Sequence, residues 1–376
     1  MICLIIILFP IVASAQADIF GYYESEYDHI QLANKSYNFG YNKLRLDLES
    51  KPNENVMVGA NINFRLFNGK TVFNYFDFIP MDTIEVNGEQ ITSYTESFID
   101  EIYLDNIYLR TSFQLIDFTI GKQPIFLGTG YGWNPLDIFN RKNLIDPTYE
   151  QTGINALRME IPVMDKGLLD IIIKPDSTWD MSSKLIQLKS SLGSFDFSLN
   201  GGNQYHLIPD GESYAYDHVY FGGGSFVGEF WEFGLWGETL WSLDADNNFG
   251  EVVFGIDHTL NNGFYLMTEY FHNSLGAKKN EVTFDHYSYG FSGETHSLMQ
   301  NYIFAMGMYN ITDYISANLI SFGNLDDQSF ILAPQLNWDA FEDVTVGAWA
   351  SQSFGENDTE FGIQDLALRF RIRAYF

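Results

Sequence analysis

Cysteine is nearly absent from this 376-residue chain: Cys3 is the only one, and it lies inside an apolar leader. Beyond the leader there is therefore no disulfide, no thiolate metal site and no cysteine nucleophile. Cations are scarce as well, with 20 Lys and Arg against 49 Asp and Glu and a net charge of −29, which argues against a nucleic-acid partner. After residue 17 no stretch approaches the roughly 18 consecutive apolar residues of a membrane helix, so the chain can cross a bilayer only as a closed β-barrel. There is no Pro/Gly/Ser-rich linker or composition break, and a single domain is expected over residues 18–376. HExxH and G-x-S-x-G are both missing, and Gly222-Gly223-Gly224 has no Lys-Ser/Thr behind it to make a phosphate cradle. No cofactor is expected.

What is present begins at the N-terminus. Residues 1–17 read as a secretory signal peptide, an apolar core followed by small-x-small cleavage patterns. Cleavage after Ala15 would leave Gln16 first, and cleavage after Ala17 would leave Asp18. No Lys or Arg precedes the apolar run, so a misplaced start or an uncleaved anchor stays open as an alternative. Aromatics are abundant: 33 Phe, 23 Tyr and 7 Trp are more than a soluble core needs, and barrels place such residues in interfacial girdles.

Alternation with period two runs from end to end. Val56, Val58, Ala60, Ile62, Phe64 and Leu66 enclose Asn61, Asn63 and Arg65, and Leu44, Leu46 and Leu48 alternate with Lys43, Arg45 and Asp47. Such segments recur at about the 9–11 residues of a tilted membrane strand. They predict an all-β transmembrane antiparallel up-and-down barrel of about eighteen strands, with sixteen also compatible. The strands are expected near 19–30, 39–50, 55–67, 101–114, 116–123, 154–162, 168–175, 183–191, 194–202, 219–228, 231–241, 251–260, 263–273, 300–310, 313–323, 329–339, 343–354 and 366–376. Every second connection is short, as a barrel with short periplasmic turns and long outer loops requires.

The last strand, Leu366 to Phe376, sets Leu366, Leu368, Phe370, Ile372, Ala374 and Phe376 on one face and Arg369, Arg371 and Arg373 on the other. It resembles the closing strand of bacterial outer-membrane β-barrels. That resemblance implies an integral outer-membrane location, contact with lipid and lipopolysaccharide, and engagement of the barrel-insertion machinery through the strand ending in Phe376.

Assigning polar alternates to the lumen gives a basic arc of Lys43, Arg45, Arg65, Arg110, Lys122, Arg158, Arg369, Arg371 and Arg373. The opposite strands offer Glu232, Glu238, Asp257 and Glu269, so a transverse field across the lumen is expected. The third outer connection, GKQPIFLGTGYGWNPLDIFN over 121–140, is rich in glycine and aromatics. Tyr131, Trp133, Asn134, Pro135 and Asp137 mark it as a constriction folded into the mouth or lumen, with a strand extended above the membrane as the alternative. This string, with Asp146 and the strand Gly153 to Arg158, resembles a segment of porin-like outer-membrane proteins of the alginate-export and carbohydrate-porin kind. The resemblance implies a passive or substrate-biased diffusion channel for small hydrophilic solutes, carbohydrates among them. A barrel plugged by its own loop and serving as a scaffold or receptor is the second reading, and an outer-membrane hydrolase the third. The stretch Asp244 to Asn248 is calcium-like, but it lacks the EF-hand glycine position and bidentate Glu, so no metal is expected there.

Overall fold

The computed structural model describes residues 17–32, 35–78, 84–86, 89–91, 93–140, 150, 152–210, 213–243, 248–279, 281–283, 286–287, 295–362 and 364–376. Most of the leader, Asp146, Asp82, Glu212 and residues 244–247 of the calcium-like stretch lie outside them, while Ala17 opens the first strand. Eighteen strands form one antiparallel sheet, closed by pairing of the last strand with the first. They are β1 (Ala17–Leu32), β2 (Ser36–Asn53), β3 (Val56–Gly69), β4 (Glu101–Phe113), β5 (Ile116–Gln123) and β6 (Ile154–Val163). Next come β7 (Gly167–Lys174), β8 (Ser183–Leu192), β9 (Phe195–Asp210), β10 (Ser213–Phe230), β11 (Phe233–Leu243) and β12 (Asn248–Thr259). The wall ends with β13 (Tyr265–Asn273), β14 (Asn301–Asn310), β15 (Ile315–Asn324), β16 (Ser329–Phe341), β17 (Val344–Phe354) and β18 (Gln364–Tyr375).

Closure leaves no sheet edge, so every strand finds backbone partners on both sides, the condition for irregularity-free passage through lipid. Outward positions are large and apolar, including Leu48, Leu66, Leu109, Ile120, Ile186, Leu199, Phe254, Leu336 and Phe370, all exposed. A surface of this kind is stable only against hydrocarbon. Between alternate strands the connections are tight, and Gln114, Met164, Trp231 and Asp343 take left-handed backbone angles as the chain reverses there.

At the opposite rim the pattern differs from expectation. Only the connections 70–100, 124–153 and 274–300 are long, whereas 33–35, 211–212 and 325–328 are as short as the turns. The largest departure is the β9–β10 hairpin, expected to stop at 202 and resume at 219. Its ladder runs unbroken from Phe195↔Gly228 to Asp210↔Ser213, because nothing in 203–218 interrupts the pairing. The lumen is uneven: inward side chains of β6 to β16 include two buried apolar clusters set among polar residues such as Gln187, Asn200, Glu238 and Glu269, while those of β18 and β1 to β5 are mostly charged or polar.

Candidate functional site

The connection 124–140 is folded into the lumen. Its apolar residues find the surface they need there: Ile125, Leu127 and Leu136 pack against Ile154, Ile172, Leu185 and Leu240 of the wall. Trp133 stacks on Phe271 (5.2 Å between centroids, planes 8° apart) and leans on Tyr302 and Phe322. Each fully buried side chain of this size is worth about 1.5–3 kcal/mol, which is ample to hold the segment inside.

A folded-in loop carries backbone N–H groups that must be satisfied. Two carboxylates of the wall satisfy them. Glu238 accepts from Thr129, Gly130 and Leu136, the last at 3.2 Å. Glu269 accepts from Tyr131 (2.6 Å), Gly132 (2.9 Å), Trp133 (2.9 Å) and the Trp236 indole (2.6 Å). Gly128 has a φ of +77°, and a Cβ there would strike Asn134 Oδ1 and the Glu238 carboxylate, so this approach needs glycine. Asn134 holds the bend by donating to the Leu127 carbonyl at 2.6 Å, next to the buried Pro135. Asp137 accepts from Asn140 at 3.2 Å; burial pushes its carboxyl up to about 7 against those hydrogen bonds. Glu238 and Glu269, expected to line an acidic wall, are 3% and 0% exposed and face the loop instead of water. Asp257 keeps an inward, half-buried position, whereas Glu232 sits exposed in the β10–β11 turn, off the lumen wall.

The arginines of β18 face inward, and they are not a bare basic wall. The register of closure sets Glu24, Glu26 and Asp28 of β1 directly opposite Arg373, Arg371 and Arg369. Arg369 reaches Asp28 at 2.7 Å and Glu26 at 3.3 Å, Arg371 reaches Glu26 at 2.6 Å, and Arg373 reaches Glu24 at 2.5 Å. Arg371 also lies over the Trp349 ring and Arg373 over Tyr22. The same pairing continues round the arc. Arg45 meets Asp47 (2.8 Å), Glu150 (2.7 Å) and Asp105 (3.6 Å), and Lys43 meets Glu150 at 3.1 Å. Burial works against the Glu150 anion, yet the charges of Lys43 and Arg45 and the Tyr22 hydroxyl hold its carboxyl below the usual range. Arg65 pairs with Glu101 (3.2 Å), Arg110 with Asp117 (2.7 Å), and Arg158 with Asp170 (2.6 Å). Lys122 is different: it shares the outward register with Ile120 and its cross-strand partner Ile107, near the outer rim, and donates to the Leu104 carbonyl at 2.6 Å. Polarity alone suggested the lumen, but the parity of Asp117, Thr119 and Gln123 turns Lys122 out, where a cation suits the headgroup level.

Charged residues opposite each other in a partly buried ladder neutralise one another, so the transverse field expected from the arginines is replaced by a zipper of ion pairs. The signal was in the sequence. Glu24, Glu26 and Asp28 alternate along the first strand, and closure must lay that strand beside the last.

Open volume remains on both sides of the loop: about 410 Å³ lies between Phe126, Gly128 and Thr129 and the wall residues Gln187, Lys189, Ser198 and Ser225, and two further cavities border the arginines. An outer cavity of about 490 Å³ is bordered by Arg65, Arg369 and Arg371 beneath a wall of phenylalanines. A second, of about 330 Å³ and nearer the turns, lies between Tyr131 of the loop and Arg371, Arg373, Trp349 and Gln335 of the wall. Arg371 borders both.

No family model matches the chain, and no curated protein matches it. Solved structures do. OccAB4 of Acinetobacter baumannii is similar over 96% of this chain and 98% of its own, with a TM-score of 0.60 at 10% identity. A BenF-like porin from Pseudomonas fluorescens Pf-5 is similar over the same shares, with a TM-score of 0.60 at 8% identity. OccK2 (OpdF) of Pseudomonas aeruginosa, solved in complex with glucuronate, gives a TM-score of 0.59 at 8% identity over 96% and 98%. At such identities the likeness is one of fold, and the fold is that of the 18-stranded outer-membrane porins.

Proposed function

We propose that the protein is an outer-membrane porin, a passive, substrate-biased channel for small hydrophilic solutes. The observation that carries this reading is the division of the lumen. The loop is fixed to one half by six backbone N–H bonds to Glu238 and Glu269. The half it leaves is lined by paired charges and holds two cavities bordered by Arg371. The loop packs on the two apolar clusters and leaves the ion-paired strands β18 and β1 uncovered. The glucuronate bound by OccK2 suggests a size scale of a single sugar ring for solutes here. Channel function is preferred to hydrolysis because the sequence offers no nucleophile elbow and the buried carboxylates serve structural contacts: backbone amides at Glu238 and Glu269, arginines at Glu26 and Asp170, and the ring and N–H of His296 at Glu251. Acidic outer connections, with the exposed Glu356 and Asp358 among them, would bridge to lipopolysaccharide through divalent ions.

Reconstitution into planar bilayers tests the reading. Stepwise ohmic conductance in KCl is expected, and a correctly folded but silent barrel would favour a scaffold. Ester or phospholipid turnover by the purified barrel would favour a hydrolase. Replacing Arg369, Arg371 and Arg373 together with Ala strips the partners from Glu24, Glu26 and Asp28, so the reversal potential should move towards cation selectivity; no movement would remove this wall from the ion path.

A further inference from the structure

One luminal cation stands apart from the ion pairs. On β8, Gln187, Lys189 and Ser191 share the inward face, and the ladder sets Lys189 across from Leu168 of β7 and Ser198 of β9. The carboxylates whose fields reach Lys189, Asp170 and Glu160, are committed to arginine. Asp170 is fully buried and held by Arg158 at 2.6 Å, and Glu160 lies between Arg158 at 3.2 Å and Arg110 at 3.6 Å. Among the described residues the Lys189 ammonium itself makes no ion pair and no hydrogen bond. It borders the cavity of about 410 Å³ on the turn side of the inward loop, with Lys166 of the β6–β7 turn at the edge. Ser198 and Ser225 border that space too, and their hydroxyls meet at 2.8 Å. Whichever of them donates, one proton of the pair is left over among the described contacts. A single acid faces the cavity, Asp196, and it accepts from Ser191 at 2.5 Å.

The contrast with the seam decides what rests there. Arg369, Arg371 and Arg373 hold carboxylates 2.5–2.7 Å away, so an incoming anion would have to displace an acid from each. Lys189 must take its contact partner from solution. A cation in this cavity would face two ammonium groups with only Asp196 to receive it. An uncharged solute would strip water from a compact, strongly hydrated charge without replacing it. A small anion supplies the missing partner and can accept the spare serine proton. Resting on the channel reading, we propose that Lys189 is the anion-selecting residue of the pore and binds a small inorganic anion, such as chloride, in the cavity beside the turns.

The test combines zero-current potentials in planar bilayers under a KCl gradient with broadening of the chloride NMR line by the detergent-solubilised barrel. Lys189→Gln should raise the potassium-to-chloride permeability ratio about threefold, because one charge in a confined mouth shifts local ion concentrations several-fold. Lys189→Arg keeps the charge and should keep the ratio. Lys184→Gln removes the same charge from the same strand but on the outward face, and should leave the ratio unchanged. Wild type should broaden the chloride line more than Lys189→Gln does, a readout of binding that needs no conduction. An unchanged ratio in Lys189→Gln, an equal shift in Lys184→Gln, or equal broadening by wild type and Lys189→Gln would each overturn the assignment. A barrel that conducts no KCl yet shows Lys189-dependent broadening would sink the channel reading and keep the anion site. A conducting barrel with neither effect would do the reverse.

Discussion

At the residue scale the seam charges act as pairs, and the consequences of removing one follow from what stays behind. Glu26 is almost fully buried between Arg369 and Arg371. Arg371→Ala therefore leaves the Glu26 carboxylate with Arg369 alone, at 3.3 Å, and should cost about 2 kcal/mol, less than a fully unpaired buried charge, read as a lowered urea midpoint for the barrel in lipid vesicles. Combining Arg371→Gln with Glu26→Gln should recover much of that loss; a double variant as unstable as Arg371→Ala would show that the Trp349 contact of Arg371 dominates instead. The sequence disclosed which face each arginine takes, because alternation sets the face. It did not disclose that the charge is cancelled, since that depends on cross-seam register, and a shift of one residue would have put Tyr23, Ser25 and Tyr27 opposite the arginines instead of Glu24, Glu26 and Asp28.

At the scale of elements, two connections at the outer rim carry testable physics. The inward loop hangs on two carboxylates, so Glu238→Ala with Glu269→Ala should free it. The unit conductance should rise severalfold and its noise increase, and an unchanged trace would mean that Trp133 and Leu136 alone seat the loop. The loop's aromatic and glycine content announced that it needed a surface, but its anchors were read as pore-lining acids. An acid that caps amides and an acid that faces water look the same in a strand pattern. The second connection, 355–363, is tied down by Glu360, which accepts from the Tyr302 hydroxyl (2.6 Å) and Asn324 (2.7 Å) and donates its own N–H to Asp327 at 2.8 Å. Burial pushes the Glu360 carboxyl from 4.5 up to about 7, opposed by those side-chain hydrogen bonds and reinforced by Asp327 and Asp326. A carboxyl raised in the docked state stabilises docking fully below its undocked value, and the contribution fades as pH rises through about 7. Amide exchange in 355–362 should accelerate at least about tenfold between pH 5.5 and 8.5 beyond its intrinsic change, and Glu360→Gln should abolish that acceleration. Equal acceleration in wild type and variant would place the titrating group elsewhere.

At the scale of the whole molecule, the strand count was legible because a barrel repeats one rule eighteen times, and errors at single ends do not accumulate. β5 was expected at 116–123 and spans Ile116–Gln123, while the β9–β10 extension was missed because its residues lack strong alternation. Closure is the one step that no local pattern encodes, and here it is fixed twice: by the ion pairs inside the seam and by the chain end. Gly21 donates to the Phe376 carbonyl at 3.0 Å, and Phe376 donates back to Gly21 at 3.1 Å, while its ring stays 60% exposed on the outward side. The backbone bonds help close the barrel, and we propose that the exposed ring is what insertion machinery would read. Two variants separate these roles. Deleting Phe376 removes both bonds and the ring, so it should slow unassisted folding into vesicles, followed by heat-modifiable mobility on gels, and also lower the amount inserted in cells. Phe376→Ala keeps the bonds, so it should fold in vesicles at close to the wild-type rate yet insert poorly in cells. If Phe376→Ala inserts as well as the parent chain, recognition rests on the strand's remaining apolar face of Leu368, Phe370 and Ile372, and the terminal ring serves only the lipid boundary.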